Sequence, residues 1–130
     1  YIVYGDIDDC KASLEAIGRM NLENLVQGHG EVLLRGEIPE ALAAGIAYLD
    51  TIRTRVRDGI EMGLSMKEIA SLDIEECGLS RVPLSGLVQD LHRANLMHVH
   101  RGMLAGTISA MPRDTRLAPD GGESVAEKSS

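Results

Sequence analysis

Apolar positions fall into helical spacing over three long stretches and one short one, separated by polar or glycine-rich breaks. Cys10, Leu14 and Ile17 recur at three and four residues behind an acidic start and ahead of Gly18. That spacing predicts a helix near 7–18, with Asp6, or less readily Asp8, as its N-cap. Leu42, Ile46, Leu49, Ile52, Val56 and Ile60 mark one stripe, with Arg53, Arg55, Arg57 and Asp58 mostly on the wet side. Pro39 suits the first turn and Gly63 the stop, so a long helix is predicted over about 39–62. Ser65 and Glu68 form an S-x-x-E capping box that opens the short helix MKEIASL. After a connector from Asp73 to Pro83, Ser85 can cap a last helix running to about 105, where Leu87, Val88, Leu91, Leu96, Val99 and Met103 repeat mostly at three and four.

Strand signals are few. YIVY before Gly5 reads as the end of one strand, and Leu22 to Gln27, short and largely apolar, as another that stops at Gly28. Val32-Leu33-Leu34 precedes a turn at Arg35-Gly36-Glu37. From Pro112 the composition shifts to Pro, Asp, Gly, Glu, Ser and Lys, which cannot bury enough apolar surface to order itself. The pattern therefore predicts a mainly α domain over 1–111 with one or two short strands, and a disordered tail over 112–130. No sheet of three or more strands is available for the short strands to join, so further strands are expected upstream. The chain starts at Tyr1, inside an apolar segment rather than on Met, which points to processing or to a piece of a longer protein.

Composition narrows this picture. With 44% hydrophobic residues but no Trp, no Phe and only three Tyr, the core must be aliphatic. A formal charge of −7 disfavours nucleic acid and anionic lipid as partners. No apolar run approaches the roughly 20 residues that cross a bilayer, and the start lacks the parts of a signal peptide. Cys10 and Cys77 lie far apart and form no CxxC pair, which fits a reduced, cytoplasmic setting and small buried hydrophobes rather than nucleophiles.

Three groups of residues invite a chemical reading. In LVQGHGEV, His29 stands between two glycines, which remove the neighbouring Cβ atoms and let an imidazole project from a bend at a strand's end. Taken alone, GHG is a histidine in a turn. His98-x-His100 has the spacing of a metal-binding pair, but helical residues two apart point about 200° from each other and cannot share one ion. With His92, they read as solvated helical histidines. Asp6, Asp8 and Asp9 crowd a first turn, where carboxylates satisfy free amides and complement the helix dipole.

The run GDIDDCKASLEAIGRMNLENLVQGHGEV, followed by YLDTIRTRVRDGIEMGLSMKEIA, resembles the C-terminal portion of metallo-β-lactamase-fold hydrolases. In that family a helix carrying an SL pair precedes a strand ending in GHG. A long helix of the form L-x-x-x-R-x-x-V then closes on Gly and a short S-x-x-E-I helix. The likeness runs from about Gly5 to Leu72 and, more weakly, through HRANLMHVHRGML to about residue 104.

The resemblance implies the end of an α/β, four-layer αββα fold and a zinc-dependent hydrolase acting on a small-molecule ester, thioester, amide or phosphoester. His29 matches the last histidine ligand of a centre of two zinc ions, which lower the pKa of a bound water and stabilise an oxyanion. The H-x-H-x-D-H signature, the next histidine and the bridging aspartate of the family lie upstream of the matched region. Gly5-Asp6 repeats that aspartate's GD pair but stands too close to His29 in sequence. The resemblance thus implies one zinc ligand, no catalytic residue and no activity for this chain alone, since zinc sites need about three or four protein ligands. It also implies a partner, either a missing N-terminal region or a second copy, because in complete members the 39–62 helix covers a sheet that is not supplied here. The alternative reading is an acidic helical module that binds other proteins without catalysis.

Overall fold

Asp6 opens the first helix in the computed structural model, which describes residues 2, 5–28, 30–81 and 86–113. Its carboxylate accepts from the backbone amides of Asp8 at 2.7 Å and Asp9 at 3.3 Å, so the capping expected of it is made. Helix α1 spans Ile7–Arg19. Strands β1 (Asn24–Leu25) and β2 (Leu33–Leu34) follow, then the long helix α2 (Ile38–Glu61). The short α3 (Met66–Ile69), a 3-10 turn at Glu75–Cys77 and helix α4 (Leu87–Ala105) complete a mainly helical chain. Ser65 and Glu68 make both halves of their capping box. The cap expected of Ser85 lies outside the described residues, as does the expected tail from residue 114 onward.

Helix α2 is the axis of the packing. On its buried arc Leu49, Ile52 and Val56 meet Leu96 and Val99 of α4, Ile7 of α1, Ile69 of α3 and Ile74 ahead of the 3-10 turn in one aliphatic cluster. Ile52 and Val56 are 0% exposed. The Leu49, Ile52 and Val56 part of the stripe expected to await an absent sheet is therefore covered by the chain's own helices, while Ile46 and Ile60 stay half-buried. The wet side assigned to Arg53 is corrected by the same geometry. With α1 on one flank and α4 on the other, the buried arc is wider than a single stripe, and position 53 falls inside it.

At the far end of α4 the chain folds back so that Ile108 presses on Gly102. A Cβ at that glycine would stand 2.6 Å from the Ile108 side chain, itself buried. Gly102→Ala is therefore expected to cost about 1–3 kcal/mol through overpacking, although Ala is the better helix former. Urea unfolding of the two proteins would measure it, and an unchanged midpoint would contradict this packing.

The strands form a single antiparallel ladder, with Asn24 opposite Leu34 and Leu25 opposite Leu33. Pairing stops there because, among the described residues, each strand has only the other as a neighbour, which shortens the strand expected over 22–27. Val26, Val32 and Leu34 are left 76%, 50% and 58% exposed. Among the described residues, no helix is long and apolar enough to cross a membrane.

Candidate functional site

His29 lies outside the described residues, but the bend that contains it does not. Seven residues link Leu25 to Leu33, and Gln27 Nε2 donates to the Glu31 carbonyl at 3.0 Å, tying the two sides together. Gly30 has φ +110, a left-handed conformation that explains the second glycine of GHG. Gly28 has no such requirement.

The other histidines depart from the solvated reading. His92 and His100 are buried and His98 half-buried, because α4 is clasped on more than one side. His98 Nε2 lies 2.8 Å from the Gly5 carbonyl, while His100 Nδ1 is buried with no hydrogen-bond partner. The pair does not converge. Among the described residues, no group of three or more His, Cys, Asp or Glu side chains could hold a metal ion.

Asp8 is buried in an ion pair with the equally buried Arg53 of α2, and Arg113 adds a second guanidinium at 3.1 Å. Burial alone would raise the Asp8 carboxyl, but hydrogen bonds from Arg53 and Arg113 outweigh it and hold it below its ordinary 3.8. Arg113 also reaches Asp6 at 2.6 Å and Asp9 at 3.6 Å, so the second residue of the tail expected to be disordered is fastened across the start of α1. Of the three first-turn acids, only Asp6 acts as a cap.

A groove of about 580 Å³ opens between α1, α2 and α4. Its walls are mostly apolar, from Cys10, Leu14, Leu49, Leu79 and Leu91, and a polar chain of Tyr48, His92 and Asn95 meets it at one side. Tyr48 Oη is 2.9 Å from His92 Nδ1 and accepts from Asn95 Nδ2 at 3.0 Å. Asn95 Oδ1 accepts from the Ile2 amide at 2.9 Å, and His92 Nε2 is 4.0 Å from Cys77 Sγ.

Burial pushes the Tyr48 hydroxyl up to about 12 and raises the Cys77 thiol, so both are neutral. It lowers His92 from its ordinary 6.5, with the Leu72 carbonyl pulling back in part. The thiol next to an imidazole is therefore no activated nucleophile, since a thiolate would need the charge that burial excludes. Cys77 is the buried hydrophobe expected of it, whereas Cys10 is half-buried on the groove wall.

For His92 the folded pKa lies below the unfolded one, so the unfolded chain takes up the proton first. Stability is then full above about 6.5 and is lost as pH falls toward the folded value. Urea midpoints should drop below pH 6.5 in the unmodified chain and drop less in His92→Gln. Equal slopes would contradict the buried neutral ring.

Comparison of the chain with protein-family models, with curated proteins and with solved structures finds no match.

Proposed function

We propose that this chain is the C-terminal portion of a metallo-β-lactamase-fold, zinc-dependent hydrolase. In that reading it supplies one metal ligand, His29, and the outer helical layer of an αββα architecture. The supporting observation is the contrast between its two parts. The helices bury their apolar residues against one another, while the GHG hairpin keeps Val26, Val32 and Leu34 in solvent beside strand edges that pair with nothing else among the described residues. An apolar two-stranded ladder is marginal by itself and gains from joining a larger sheet. Such a sheet would fix the bend in place and bring the remaining ligands to it.

The described residues hold no donor set for zinc, so the metal and the water it activates would depend on groups from outside them, and no catalytic step is assigned to this chain. The test is hydrolysis of an ester, thioester and phosphoester panel by the protein that includes the residues upstream of Tyr1. Zinc-dependent turnover that His29→Ala lowers at least about a hundredfold is expected. Turnover indifferent to zinc and to His29 would overturn the reading.

The groove favours a second reading, that of an acidic helical interaction module, because about 580 Å³ with a mostly apolar wall is ample for a side-chain cluster of another protein. That reading gains if no H-x-H-x-D-H signature is encoded ahead of Tyr1.

A further inference from the structure

We propose that His92 is a proton-operated latch: charging its ring releases Ile2 from helix α4. The case rests on the direction of four hydrogen bonds. The Ile2 amide can only donate, so Asn95 must turn its oxygen toward Ile2 and its NH₂ toward Tyr48. Tyr48 Oη then accepts from Asn95, and its single proton is free to go only to His92 Nδ1. The ring is left with its proton on Nε2, facing the Leu72 carbonyl and the Cys77 sulfur. Every group from Ile2 to Leu72 is committed to one role.

A second proton on His92 has to sit on Nδ1, where the ring becomes a donor to Tyr48 Oη. Tyr48 must then turn its own proton elsewhere, and among the described residues the other group hydrogen-bonded to its hydroxyl is Asn95. Asn95 answers by presenting its oxygen to Tyr48 and its NH₂ to Ile2, and two donors then face each other where the latch had been. Leaving them so in a buried site is costly, and separation relieves it. The other tie of this segment behaves differently. His98 Nε2 donates to the Gly5 carbonyl whether that ring is neutral or charged, so the Gly5 carbonyl stays tied while its amide, which donates to the Ile2 carbonyl, loses that partner as Ile2 leaves.

The groups around the His92 ring are Tyr48 from α2, Cys77 from the 3-10 turn and the Leu72 carbonyl, with Arg55 and Glu76 acting on the Cys77 thiol. Asp6, Asp9 and Cys10 of α1 line the same groove, and none of them hydrogen-bonds the ring. Among the described residues no carboxylate hydrogen-bonds the ring to stabilise the charged form, and proton uptake is therefore offset by loss of the latch.

The test is two-dimensional NMR of the chain from about pH 7.5 to 5, following the His92 ring, the Ile2 and Gly5 amides and the Asn95 side-chain NH₂. The Ile2, Gly5 and Asn95 signals are expected to move with the same midpoint as the His92 ring, below 6.5, because the Gly5 amide donates to the Ile2 carbonyl at 3.1 Å. In His92→Gln, whose side-chain oxygen still accepts from Tyr48, Ile2 should remain latched and its pH response should vanish. In Tyr48→Phe, which decides the matter if the first variant does not fold, the ring should titrate without moving Ile2. Three results would overturn the latch: an Ile2 amide unmoved while His92 titrates, an unchanged Ile2 response in either variant, or collapse of the whole spectrum at that midpoint.

Discussion

Val56→Asp is expected to leave the chain unfolded. Val56 is 0% exposed in the same cluster as Ile52, Leu96 and Val99, with no polar side chain among its members except Tyr48. Removing the valine forfeits about 1.5–3 kcal/mol of burial, and an unpaired carboxylate at the same place adds a penalty of several kcal/mol whether it is charged or forced neutral. Together these take most of a small domain's margin of roughly 5–15 kcal/mol. Far-UV circular dichroism should show loss of helix at neutral pH, while the same change at exposed Ala44 should keep it. A folded, helical Val56→Asp chain would mean that this face of α2 is covered by another molecule and not by α4.

Asp8→Ala should be nearly as damaging, for a different reason. Arg53 has Asp8 as its hydrogen-bond partner, and its Nε and Nη1 are already buried without one. Truncating the acid leaves a whole guanidinium charge uncompensated inside the helical layer, which costs about 3–5 kcal/mol when a buried pair is broken from one side. Asp8→Ala with Arg53→Met should recover much of that loss, because the double change removes the stranded charge and keeps an apolar stem of similar length. Equilibrium urea unfolding of the four proteins forms the cycle, and single and double changes that simply add would contradict the coupling. The folded carboxyl of Asp8 is lowered, so its contribution is present above its ordinary 3.8 and is lost as pH falls through the folded value. Acid should therefore weaken the chain in two steps, the first below 6.5 from His92 and the second below 3.8 from Asp8.

The helices were legible because their signals are local. Spacing at three and four residues, Asp6 at an N-cap and the Ser65–Glu68 box each act within one or two turns, and α1, α2 and α4 begin and end within about two residues of where they are predicted. What covers α2 was not legible. Pairing of α2 with α1 and α4 depends on how connectors of irregular structure turn, and no periodicity reports that. The polar interior shows the same limit. Arg53 carries the charge of a surface residue, and nothing near it in sequence reveals that Asp8 arrives from α1. His92 did leave a trace, since it stands four residues from both Val88 and Leu96 on the buried side of α4, and weighing it by position instead of polarity would have placed it inside. The hairpin is the reverse case: the short apolar run from Leu22 to Gln27 predicts a longer strand, but a strand extends only as far as it has a neighbour to pair with.

The role proposed for His29 turns on whether the bend between β1 and β2 belongs to a metal centre completed by residues outside this chain. Metal analysis of the protein that includes the residues upstream of Tyr1, compared with its His29→Ala variant, asks this directly. Two tightly held zinc ions per chain, with one lost or weakened about a hundredfold or more in the variant, are the expected result. Equal zinc in both proteins, or none in either at neutral pH, would contradict the proposal and leave the GHG bend as a turn.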